Sequence, residues 1–163
     1  MRNKQQLIVV LVLMVGLCGC AIHKTGTNGS PVAVTWLEEA NSDNAQISAY
    51  NRAAAQGLVA ALQNGFIEKE SFDSISKQQI NITRAKEKLT PLLKSQSIAL
   101  SNSDQIRSLT NEISLAAVSI IQSGSVGIKN DPTKAAISGE IQACAALANS
   151  IFNGIMTLKG EKP

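Results

Sequence analysis

From Trp36 onward, apolar residues recur at steps of three and four, the spacing of one face of an α-helix. Trp36, Ala40, Ile47, Tyr50, Ala54, Leu58 and Ala61 form the first such seam, and Thr35-Trp36-Leu37-Glu38 before it has the spacing of a capping box. Asn41 to Asn44 are poor helix-interior residues, so the pattern leaves two readings open, a break with Ser42 or Asp43 as a second cap or one long helix. Asn64-Gly65 ends the segment, because both residues tolerate the left-handed backbone of a helix C-terminus.

A second helix is expected to start between Glu68 and Ser71, with Ile67 placed to pack on Phe72 if Glu68 is the cap. Its seam reads Ile75, Gln78, Ile82, Ala85, Leu89 and Leu92, and Thr90-Pro91 predicts a kink or a fresh start. A third begins near Ser101 or Ser103, follows Ile106, Leu109, Ile113, Ala116 and Ile120, and ends in Ser123-Gly124-Ser125 and Gly127. Asp131-Pro132 reads as an N-cap with proline behind it, opening a fourth seam of Ile137, Ile141, Cys144, Ala148, Ile151, Ile155 and Leu158 that Gly160 closes. Val32 to Val34 alternates too briefly to found a sheet. The pattern therefore predicts an all-α fold over 35–163, an antiparallel bundle of four helices packed at about 20°.

The fourth segment carries no charge from Ile141 to Leu158, nor does Ile113 to Ile128, which raises a membrane hairpin as an alternative. Gln142, Asn149 and Asn153 cluster opposite the Cys144 and Ile151 seam, so an amphipathic core helix with an uncharged outer face is the better reading.

The chain before the bundle has a different plan. Arg2 and Lys4 precede an unbroken apolar run from Leu7 to Leu17 that ends in small Gly19, the order of a secretory signal. The run is shorter than the roughly 20 residues of a membrane-spanning helix. Leu17-Cys18-Gly19-Cys20 resembles the lipobox of bacterial lipoproteins. The resemblance implies cleavage before Cys20, lipidation of Cys20, and loss of Cys18 with the leader. In that class an Asp after the lipidated cysteine retains the protein at the inner membrane. Here the residue is Ala21, which points to the periplasmic face of the outer membrane if the host is Gram-negative. The expected organisation is thus a signal peptide over 1–19, a lipidated Cys and flexible tether over 20–34, and the bundle over 35–163. The tether, with Gly26 and Gly29 among Thr and Ser, holds the chain's one histidine, His23, in solvent.

Composition changes little. Charged residues are 17% of the chain and apolar ones 44%, too apolar for disorder. Loss of Arg2 and Lys4 with the leader lowers the net charge of +3 by two, so the basic balance is no argument for nucleic acid. A bundle without histidine offers neither a usual zinc site nor a Glu-x-x-His di-iron site. Cys144, on the seam, reads as a buried small apolar group with no base to activate it. Glu38 and Glu39 point about 100° apart on a helix and cannot share a substrate proton. Arg84, Lys86, Lys88 and Lys94 read as a solvated face, and Gly124 to Gly127 lacks the spacing and the lysine of a phosphate loop. The murein-linked outer-membrane lipoprotein is similar only in general plan, an anchor followed by heptads.

The expectation is a non-catalytic, lipid-anchored cell-envelope lipoprotein with no cofactor or metal, held to the membrane by its lipid. Its bundle would bind or support an unidentified envelope protein or polymer. The alternatives are a lipid-anchored enzyme with an unrecognised site and a membrane-active helical hairpin.

Overall fold

The first helix among the described residues, α1 (Trp36–Gln63), begins at a complete capping box. The Glu38 amide donates to Thr35 Oγ1 at 3.3 Å, and Glu38 Oε2 accepts from the Thr35 amide at 3.0 Å. Two donors that the first turn would leave orphaned are satisfied reciprocally, a contribution of about 1 kcal/mol. The computed structural model describes residues 35–124 and 127–161, and Thr35–Pro163 forms a compact unit of its own. The expectations placed on Cys20, His23 and the leader lie outside the described residues.

Helix α1 runs unbroken through Asn41 to Asn44. It ends in a Schellman motif, in which the Phe66 amide donates to Ala61 O and the Gly65 amide to Leu62 O. The motif needs a left-handed residue, and Gly65 supplies it at φ 69°. Helix α2 (Lys69–Leu89) follows with Glu68 as its N-cap, and Ile67 and Phe72 both join the core. Proline 91 does not start a new α-helix; it lies in one 3₁₀ turn, Thr90–Leu93, that continues α2. A short helix that the pattern did not predict, α3 (Gln96–Ser101), is capped by Ser95 and hands over at Asn102 to α4 (Ser103–Ser119). A π-turn, Ile120–Gly124, ends α4. The last helix, α5 (Asp131–Leu158), closes with a second Schellman motif at Gly160.

Four long helices build the bundle, each packed on two neighbours in the cyclic order α1, α2, α4, α5, with α3 as a connector. Residue pairings give the direction of each neighbour: Cys144 meets Ile47 and Trp36 meets Gly154 between α1 and α5, so these two run antiparallel. The seams supply the core. Ile47, Leu58, Ile75, Ile82, Ile106, Ile113, Ile141 and Ile151 are all less than 2% exposed, and each such side chain contributes about 2 kcal/mol by leaving water. At the closed end, Ile67 and Ile128 form an isolated antiparallel bridge, and the Lys129 amide donates to Phe66 O at 2.7 Å. That bridge ties the α1–α2 connection to the α4–α5 connection.

Three details differ from the sequence pattern. The cap of α5 is Asn130, whose Oδ1 accepts from the Thr133 amide at 3.0 Å, so Asp131 is the first helical residue and Pro132 the second. Both positions tolerate the change, since an acid suits the first turn and the proline nitrogen there has no partner to lose. On α2 and the turn after it the buried positions are Gln79 and Leu93 rather than Gln78 and Leu92. Buried Ile75, Gln79, Ile82, Ala85, Leu89 and Leu93 follow steps of four, three, three, four and four, which average about 3.6 residues and keep the stripe on one face.

Candidate functional site

Cys144 is fully buried, and its Sγ approaches the carbonyl of Ile47 at 3.6 Å. Burial, reinforced by the Glu140 carboxylate one turn away, pushes the thiol up to about 12. It is a packing group of the α1–α5 seam and not a nucleophile at neutral pH. Glu38 is spent on the cap of α1. Arg84, Lys88 and Lys94 stand exposed on and just beyond α2. Among the described residues no group of three or more His, Cys, Asp or Glu side chains could hold a metal ion.

The polar residues of α1 have a different task. Asn41 Nδ2 donates to its own helix at Leu37 O and across to Leu93 O, both at 2.8 Å. Asn44 Nδ2 donates to Thr90 Oγ1, and Asn51 Nδ2 donates to Gln79 O and Thr83 Oγ1, each at 3.0 Å. These amides fix the register of α1 against α2 and the turn after it. On the neighbouring face, Asp43 is 7% exposed and hydrogen-bonded to Ser150 of α5, and burial raises its carboxyl above the ordinary range.

The concave surface lies on the opposite side of the bundle, around α4. One groove, of about 560 Å³, runs between α4 and α5, where Asp104, Arg107, Ser108 and Asn111 face Asn149 and Phe152. A second, of about 440 Å³, runs between α4 and α2, where Gln78 and Asn81 face Ser108, Asn111, Glu112 and Leu115. Ser108 and Asn111 line both grooves, so the two meet on the crest of α4. Helical spacing explains the arrangement: 104, 108, 111 and 115 stack along one outward stripe of α4, opposite the buried Ile106, Leu109 and Ile113. Asp104 approaches both Arg107 (3.9 Å) and Lys159 (3.8 Å), and the Arg107 guanidinium lies 5.9 Å from the centre of the Phe152 ring. Ser114 Oγ and Asn149 Oδ1 lie 3.2 Å apart across the α4–α5 seam.

The two grooves gather carboxamides from three helices, the hydroxyl of Ser108, the aromatic ring of Phe152, and charges of both signs. Sequence reasoning placed Asn149 on an outer polar face but did not connect it to α4. The available signal was the polar stripe of α4, which becomes a site only through its register with α2 and α5. The chain matches no family model, no curated protein and no solved structure.

Proposed function

We propose that the chain is a lipid-anchored lipoprotein of the bacterial cell envelope whose helical bundle is a non-catalytic binding module. The observation that carries this reading is the lipobox-like Leu17-Cys18-Gly19-Cys20 behind a charged and apolar leader. The bundle is compatible with it, because α1 opens at its own capping box at Thr35 and Thr35–Pro163 forms a compact unit of its own. A domain built so can be carried by an anchor without depending on it. The lipid supplies location, and the surface of the bundle supplies recognition.

The test is Cys20→Ser expressed in the native cells in the presence of labelled palmitate. The reading expects loss of the label, accumulation of the unprocessed chain, and loss of the native distribution between envelope fractions. A label that persists in the variant would rule out Cys20 as the site.

By length and composition α5 is apolar enough to cross a membrane. Its Ile137, Ile141, Cys144, Ala148, Ile151 and Ile155 are nevertheless buried in the bundle, which favours the tethered reading over the hairpin.

A further inference from the structure

The two grooves meet on the crest of α4, where Ser108 and Asn111 line both. Carboxamides converge from three helices, Gln78 and Asn81 from α2, Asn111 from α4 and Asn149 from α5. Each carboxamide offers a donor and an acceptor side by side. Part of that capacity is already oriented: Asn81 Nδ2 donates to Gln78 Oε1 at 3.1 Å, and the contact of Ser114 with Asn149 Oδ1 turns the Asn149 NH₂ away from it. The side chains of Ser108 and Asn111, at the junction, hold no hydrogen bond to another described residue.

The charges narrow the ligand further. Asp104 is shared by Arg107 and Lys159, Arg107 is drawn over Phe152, and Glu112 stands on the other rim. No single sign dominates, so the surface has no field to gather a polyanion. An extended peptide would need a strand edge and an amphipathic helix a row of apolar pockets; the walls here are helices whose backbone groups are already paired, and Phe152 and Leu115 are the large apolar side chains of the lining. What fits is an uncharged ligand dense in mixed donors and acceptors, with apolar faces of its own for the half-buried Phe152 at one end and for Leu115, 61% exposed, at the other.

We propose that the paired grooves astride α4 bind a neutral, N-acetylated oligosaccharide strand that crosses at Ser108 and Asn111. The acetamido group of such a sugar carries one N–H and one C=O, the complement of a carboxamide, and its methyl group can rest on Leu115. A pyranose C–H face can lie against Phe152 by displacing the Arg107 guanidinium, which stands 5.9 Å from the ring centre. Both grooves are open along their length, which suits a chain lying across the surface rather than a small molecule enclosed in a pocket. This inference rests on the envelope-binding reading for its biological sense, since N-acetylated glycan is an envelope polymer, but it is tested separately from it.

The experiment is a titration of the full chain, purified in mild detergent, with a β-1,4-linked tetramer of N-acetylglucosamine and with the glucose tetramer of the same linkage, followed by calorimetry. The N-acetylated tetramer is expected to bind about tenfold more tightly than the glucose tetramer, the effect of one or two added hydrogen bonds. Asn111→Leu and Asn149→Leu should each weaken that binding by about tenfold, while Gln56→Ala on the exposed side of α1 leaves it unchanged. Both asparagines are exposed, so unchanged thermal midpoints will show that the variants are folded. Equal binding by the native chain and both variants overturns the proposal, as does the absence of binding up to the solubility limit of the sugar. Fatty-acid labelling of the same preparation keeps the two readings apart: a chain labelled at Cys20 that ignores both sugars overturns the glycan site alone.

Discussion

The indole of Trp36 lies directly over Gly154, so closely that a Cβ on residue 154 would overlap the ring. The first turn of α1 and the last turns of α5 are joined by this contact, and only a residue without a side chain allows it. The notch lies near the end of the bundle where the amide of Thr35 closes the cap of α1.

Gly154→Ala is therefore expected to expel the indole rather than gain helix propensity. The cost should be about 1–3 kcal/mol, the usual penalty of overpacking, despite the roughly 1 kcal/mol by which alanine favours a helix over glycine. Trp36 is the only tryptophan, so a red shift of intrinsic fluorescence together with a lowered denaturation midpoint checks the expectation. A stabilised variant with unchanged emission would contradict it.

Asp43 sets a pH dependence. It is 7% exposed, its Oδ2 meets no donor among the described residues, and burial raises its carboxyl above the ordinary carboxylate range. A folded carboxyl that titrates above its unfolded value binds more protons when folded, so its favourable contribution is present at low pH and is lost as pH rises through the folded value. Asp43→Asn should accordingly stabilise the fold at pH 7, by on the order of 1 kcal/mol, and the difference between variant and native chain should shrink toward pH 3. Denaturant titrations of both chains across that range measure it.

Asn51 is buried and makes two hydrogen bonds to α2, to Gln79 O and to Thr83 Oγ1. Asn51→Ala removes two hydrogen bonds and leaves a small cavity, with an expected loss of about 2 kcal/mol. A double-mutant cycle with Thr83→Val should show a coupling near 1 kcal/mol, and a coupling of zero would mean that the 3.0 Å bond to Thr83 carries no energy.

These amides also show where reading a chain in one dimension stops. The seams through Ile47, Ile82, Ile113 and Ile141, the capping box at Thr35 and the stop at Gly65 follow from local periodicity and backbone chemistry, and the structure has each of them. Asn41 and Asn44 left a break open because propensity counts the cost of asparagine inside a helix. It cannot count the bonds these residues make to Leu93 and Thr90, some fifty positions later. The grooves astride α4 were hidden for the same reason. Ser108, Asn111 and Asn149 are ordinary surface residues until the register of three helices brings them together.

Cys144 gives a direct check on the α1–α5 seam. With its thiol buried and pushed up to about 12, it should resist a neutral-pH thiol reagent in the folded chain and react once denaturant is added. Reaction at the rate of a free thiol without denaturant would contradict the packing of Cys144 on Ile47.

The central claim is that a lipid on Cys20 anchors a self-contained bundle, and the intact mass of the protein isolated from its native cells tests it most directly. The account expects a chain that begins at residue 20 and carries the added mass of a diacylglyceryl group, localised to Cys20 by fragmentation. A chain with unmodified Cys20, whether it begins at Met1 or at any other residue, would contradict it.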